Sequence, residues 1–149
     1  HTMKWIIHLA VLCVPLCMAR RLKRCEVDRN FRSQGLDGFG GFSLGNYVCM
    51  AFWESKWKTH KVRSADVGKD YGVFQINSYK WCDDGTPGGK NLCKVKCADL
   101  LNDDLVASIN CAKKIVEQNG LKDWDTWTNY CKDRKMKRWV DWCDFKKRT

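Results

Sequence analysis

Eight cysteines run from near one end of this chain to near the other: Cys25, Cys49, Cys82, Cys93, Cys97, Cys111, Cys131 and Cys143. An even set in an oxidising compartment is a disulfide framework. Four bridges then decide which distant segments meet. Number and spacing alone leave more than a hundred pairings open. The compartment is read from the N-terminus. Behind Met3 stand one basic residue, Lys4, an apolar run Trp5–Leu16, and Cys17-Met18-Ala19. That order is a secretory leader cut after Ala19, which carries off the two remaining cysteines, Cys13 and Cys17. His1 and Thr2 precede the start methionine and read as additions. A membrane anchor is the rival reading, but the apolar run is short for a bilayer span. The expectation is a secreted, extracellular chain: leader and added residues at 1–19, then one domain over 20–149 with a short basic tail.

With the leader gone, His60 is the sole histidine. A Ser-His-Asp or Cys-His enzyme would have to be built on it, and the thiols are expected in bridges. Zinc needs several imidazoles or free thiolates. Neither GxGxxG nor GxxxxGK[ST] occurs, so nucleotide phosphate binding has no support. The chain carries 27 Lys+Arg against 17 Asp+Glu, a formal net charge of +10. That balance points to anionic partners without naming one. The charge is dispersed and no recognition module accompanies it, so specific nucleic-acid binding is not expected.

Hydrophobic spacing predicts helices over residues 24–34 (stopped by Gly35), 44–55, 104–116 and about 124–130. Ser43 is the expected N-cap of the second. Asn102, Asp103 and Asp104 are expected to cap the third, whose apolar face is Leu105, Ile109, Ala112 and Val116. Between the second and third helices lie β-rich pieces within Val62–Ser78, chiefly Tyr71–Ile76, and a loop at Asp83–Gly89. Helices with a small antiparallel sheet inserted mid-chain predict an α+β domain, with a cleft between a helical lobe and a β lobe.

Without a usable histidine, acid–base chemistry falls to carboxylates. Most have plain roles at helix starts, turns or the tail. Two do not. Glu54 follows Phe52 and Trp53 near a helix end; Asp70 sits in a polar stretch beside Lys69, with the amides Gln75 and Asn77 near it in sequence. One carboxyl in apolar company and one in polar company would have their pKa values pushed apart. Trp53 is the expected desolvating neighbour of Glu54, with Trp124 across the cleft. Lys69 is expected to act on the charge of Asp70. Trp53, Trp57, Trp127, Trp139 and Trp142 are read as core, and His60 as a loop residue with no special task.

The segments Gly45-Asn46-Tyr47-Val48-Cys49, Phe52-Trp53-Glu54-Ser55, Asp70 to Ser78 and Cys111 to Val116 resemble the c-type lysozyme/α-lactalbumin family, and the likeness extends over residues 20–149. The resemblance implies a lysozyme-like fold with bridges Cys25–Cys143, Cys49–Cys131, Cys82–Cys97 and Cys93–Cys111. It implies a secreted glycosidase that cuts β-1,4 links between N-acetylmuramic acid and N-acetylglucosamine, with Glu54 as general acid and Asp70 as nucleophile. Lysozyme is itself the known case of this acid–nucleophile pairing. Gln75, Asn77, Trp81 and Trp124 match sugar-contacting or site-lining positions. The implied partners are peptidoglycan or chito-oligosaccharides and anionic bacterial surfaces, met by a monomer.

Some positions depart from the family pattern. Lys80 replaces a common aromatic. Gly68 and Ser64 replace a Ser and an Asn that support the catalytic Asp, and the loop from Thr59 to Asp70 is one residue short. These departures keep two other readings open: a carbohydrate-binding protein with weak or no turnover, and a cationic antimicrobial protein acting on membranes. Calcium-binding relatives place carboxylates where this chain has Ala107 and Ser108. Calcium wants about six to eight oxygens, so no metal or other cofactor is expected.

Overall fold

A computed structural model of the chain describes residues 20–144. The leader expected at 1–19 and the basic tail end Lys146–Arg148 lie outside the described residues.

The central element is the helix Leu44–Ser55. Nine of its twelve residues are buried, from Leu44 through Met50 and Ala51 to Glu54 and Ser55. A helix apolar nearly all round must be enclosed by others. Three elements enclose it: the helix Arg24–Ser33, the short helix Asp125–Tyr130 and the 3-10 turn Lys137–Trp139. We call the helices α1 (Arg24–Ser33), α2 (Leu44–Ser55), α3 (Val106–Asn119) and α4 (Asp125–Tyr130). Gly45 lets the chain after α4 lie against α2, because a Cβ there would fall 2.6 Å from the Met136 carbonyl. Phe31, Leu36, Tyr47, Val48, Met50, Ile109, Ile115 and Leu121 form the fully enclosed centre.

The β lobe is one antiparallel sheet of three short strands, β1 (Val62–Ser64), β2 (Lys69–Tyr71) and β3 (Ile76–Asn77), in sequence order. Its register sets Arg63 opposite Asp70, and Asp70 opposite Asn77. Cross-strand partners share a face, so these three side chains form one row. Four disulfides are present: Cys25–Cys143, Cys49–Cys131, Cys82–Cys97 and Cys93–Cys111. They are the pairs the family resemblance implies, and the fold is the expected α+β arrangement.

Local expectations needed correction in several places. Tyr71–Ile76 is not one strand: β2 ends at Tyr71, and Gly72–Gln75 turn before β3 begins. Gly72 has φ +76°, and a Cβ there would sit 2.2 Å from the Leu100 carbonyl. Phe74 leaves the sheet to stack on Phe31 of α1 at 5.2 Å between ring centroids. Its hydrophobicity serves the helical core, which is why the apolar run misread as strand. α3 starts at Val106, because Leu105 is left-handed at φ +62°. Asp104 does cap it, its Oδ1 accepting from the Val106 N–H at 3.0 Å. The helix runs on to Asn119 and stops at Gly120, which is at φ +74°. Ser43 holds the N-cap position of α2, but its side chain makes no cap bond. Instead Asp37 Oδ1 accepts from the Leu44 N–H. Trp142, read as core, is 84% exposed. It stands at φ +63° beside the Cys143 bridge, a backbone shape that sends it to solvent. His60 is not idle: its Nε2 lies 3.3 Å from Asp103 Oδ1.

Candidate active site

Glu54 lies in the last turn of α2 and is only 7% exposed. Its Oε1 accepts a hydrogen bond from the Thr126 hydroxyl of α4 at 2.7 Å. Burial pushes its carboxyl above the ordinary range. The Thr126 hydrogen bond, the positive charge of Arg63 and that of Lys61 pull the other way, while the negative charge of Asp70 adds to the rise. Desolvation outweighs the rest, and the net direction is upward.

Asp70 reaches the same cleft from β2. Its Oδ1 accepts from Asn77 Nδ2 at 2.9 Å and its Oδ2 from Arg63 Nη2 at 3.2 Å. That same Nη2 lies 4.0 Å from Glu54 Oε2. The two carboxylate oxygens are therefore at most about 7 Å apart. Retaining glycosidases use separations of about 5–5.5 Å and inverting ones about 6.5–9.5 Å. The cleft has a volume of about 300 Å³, and its apolar lining is Ile76, Trp81, Ile115 and Trp124. Among the described residues no three His, Cys, Asp or Glu side chains gather as a metal site would.

A model of the C-type lysozyme/alpha-lactalbumin family matches residues 20–143. The chain belongs to that family. Lysozyme C of Trichosurus vulpecula is 43% identical over 136 residues, covering 89% of this chain and 92% of the relative. Lysozyme C of Dromaius novaehollandiae is 42% identical over 145 residues, covering 95% and 99%. Lysozyme C II of Oncorhynchus mykiss is 42% identical over 138 residues, covering 91% and 96%. The kind of protein is thus lysozyme-like, in a family that also holds the non-catalytic alpha-lactalbumins.

Within this lysozyme-like frame all six candidate residues line one cleft: Glu54, Asp70, Gln75, Asn77, Trp81 and Trp124. Both amide hydrogens of Asn77 are taken inside the protein. Its Nδ2 donates to Val67 O and Asp70 Oδ1, and its Oδ1 accepts from the Tyr79 N–H. One of these bonds holds the Asp70 carboxylate, while Asn77 itself remains part of the cleft lining. Gln75 is 6% exposed and gives both amide hydrogens to backbone carbonyls, of Lys61 and Gly72. Its Oε1 is buried without a partner. Trp124 is fixed by its indole N–H, which donates to Phe74 O at 2.8 Å. Lys80 lays its ammonium 4.9 Å from the centre of the Trp81 ring, so this departure covers an aromatic as well as replacing one.

Two expected neighbours are elsewhere. Trp53 does not line the cleft; it stacks on Tyr130 at 4.4 Å. Successive helix residues point about 100° apart, so adjacency to Glu54 in sequence takes it to another side. Lys69 is likewise not the charged partner of Asp70, because consecutive strand residues face opposite ways. Arg63 holds that place, delivered by the β1–β2 register. Arg63 and Thr126 are the site residues that sequence reasoning missed. A hairpin drawn around Asp66–Gly68 would have found Arg63; Thr126, 72 residues from Glu54, leaves no local signal.

Proposed function

We propose that this chain is a secreted retaining glycosidase that hydrolyses β-1,4 links between N-acetylmuramic acid and N-acetylglucosamine in bacterial peptidoglycan. The observation that carries this reading is a buried Glu54, its carboxyl pushed above the ordinary range by burial, sharing one small cleft with Asp70. Protonated Glu54 gives its proton to the glycosidic oxygen as the bond to the anomeric carbon breaks. An oxygen of Asp70 bonds that carbon, and the leaving sugar departs as an alcohol. Water then attacks the same carbon, loses a proton to the Glu54 carboxylate and frees Asp70. The bridges need an oxidising compartment, in keeping with secretion behind the 1–19 leader and one domain from residue 20. The many surface cations suit anionic bacterial surfaces met by a monomer.

Proton NMR of a glycan digest tests the reading. The first product is expected to carry the β configuration of the substrate. An α product would exclude the Asp70-bonded route, and no product at all would leave a carbohydrate-binding protein. The ammonium of Lys80 over Trp81 is the observation that favours this second reading.

Thr126 offers a finer check. Its hydroxyl favours the charged form of Glu54. Thr126→Val is therefore expected to raise the Glu54 pKa further and move the alkaline limb of the kcat/KM profile to higher pH. The acid limb should stay in place. An unmoved alkaline limb would mean that the group titrating there is not Glu54.

A further inference from the structure

We propose that Arg63 selects the substrate: its guanidinium docks a carboxylate carried on a sugar ring beside the scissile bond, so the site prefers acidic β-1,4-linked amino-sugar chains to neutral chitin. The inference deepens the glycosidase reading above and rests on it for the location of the scissile bond.

Three observations support it. First, both contacts of Arg63 with the carboxylates use one nitrogen, Nη2, at 3.2 Å to Asp70 and 4.0 Å to Glu54. Among the described residues, Nε and Nη1 make no hydrogen bond. A planar guanidinium with unengaged N–H groups is suited to bidentate carboxylate recognition. Second, the Arg63 side chain is 54% exposed although it lines the cleft. A solvent-washed, one-nitrogen ion pair is weak and readily exchanged for an incoming carboxylate. Third, Arg63 is the cation of the cleft lining and feels the charge of Lys61, which lies outside that lining with Lys58 and Lys56. Lys61 has its pKa lowered by burial and by the positive charge of Arg63, with the negative charge of Glu54 opposing and the positive charges of Lys58 and Lys56 adding to the effect. Its Nζ is held by the Glu54 carbonyl at 2.8 Å. Gathering like charges beside a cleft is unfavourable in the empty protein and favourable when an anion is bound. The lining also carries Asp123 and Asp125, ahead of and within α4. Among these lining residues Arg63 is the one that can pair with a substrate carboxylate.

The chemistry required is a carboxylate on the ring or on a short ether arm. The lactyl group of N-acetylmuramic acid and the C6 carboxylate of a uronic acid both supply it. Binding, read from tryptophan fluorescence of the folded chain, separates them. The probes are chitotetraose, a peptide-free tetrasaccharide of alternating N-acetylglucosamine and N-acetylmuramic acid, the methyl ester of that tetrasaccharide, and a hyaluronan tetrasaccharide. Wild type is expected to bind at least one free acid about tenfold more tightly than its neutral counterpart, the ester or chitotetraose respectively. The acid that shows the preference identifies the source. Arg63→Gln should bring that ratio to about one. Arg63→Lys, which keeps the charge and loses the fork, should retain only part of it. Equal affinity for acid and neutral ligands in wild type would overturn the proposal, as would a preference that survives in a folded Arg63→Gln. Loss of turnover on every glycan, with the Arg63-dependent preference intact, would sink the enzyme reading and leave this one standing.

Discussion

Glu54→Gln is expected to slow peptidoglycan lysis by about 10²–10⁴-fold, the range that a positioned general acid supplies. The substitution is nearly isosteric. The Gln carbonyl can still accept the Thr126 hydroxyl that now bonds Oε1 at 2.7 Å, so the α2–α4 contact survives. What disappears is the proton. An amide cannot donate one to a glycosidic oxygen as the bond breaks. A lysis rate within threefold of wild type would mean that Glu54 is not the acid.

The same change has a predictable effect on stability, and the sign follows from burial. The Glu54 carboxyl binds its proton more tightly folded than unfolded, because burial disfavours its charged form. Between the ordinary glutamate pKa and the raised one, the folded state holds more protons, so stability falls as pH rises through that window. Glutamine has no charge to desolvate. Glu54→Gln should therefore be more stable than wild type at neutral pH, with the gain vanishing below the ordinary glutamate range. Urea titrations at two pH values check it. A variant that is inactive and more stable is the expected mark of a group kept at a cost to the fold.

How far this site was legible depends on which kind of neighbour is asked about. The extent of a helix was readable, though not which of two adjacent residues faces the cleft, as Trp53 beside Glu54 shows. The apolar spacing of Val48, Ala51, Phe52 and Ser55 predicts α2 at the limits observed. Glu54 stood out because an acid beside two aromatics near a helix end is unusual. Neighbours created by pairing were not readable from adjacency. Lys69 is next to Asp70 in sequence and on the other face of the strand; Arg63 is seven residues away and opposite it. The apolar run at Val73 and Phe74 was open to the same error, because a buried turn residue and a buried strand residue have the same hydrophobicity. Only the register, set by the turn around Asp66–Gly68 and by Gly72, distinguishes them. Disulfide pairing is the extreme case: the residues alone leave it open, and only the family resemblance implied it.

That pairing leads to the other large effect. Replacing Cys49 and Cys131 together by Ala is expected to cost about 4.5 kcal/mol, because their bridge closes a loop with a sequence separation of 82. Against a total of about 5–15 kcal/mol for a domain, that is a large share. It should lower Tm by about 10 °C or more. The Cys82–Cys97 bridge spans only 15 residues, so its removal should cost about 1.5 kcal/mol less by chain entropy. Both sulfurs of the longer bridge are enclosed, since Cys49 and Cys131 are each 0% exposed, so truncation also leaves a void that the shorter comparison must share to be fair. It does share it on one scale: Cys82 and Cys97 are likewise 0% exposed, which leaves loop length as the main difference. Calorimetry of the two double variants decides the order, and an equal or smaller loss from Cys49/Cys131 would refute it. The longer bridge has a second consequence. It ties α2, which carries Glu54, to the end of α4, which carries Thr126. At a temperature where the Cys49/Cys131 variant is still folded, a loosened joint weakens the Thr126–Glu54 hydrogen bond. Its pH–rate profile should then move in the direction expected for Thr126→Val, whereas the Cys82/Cys97 variant, whose bridge joins neither α2 nor α4, should keep the wild-type alkaline limb.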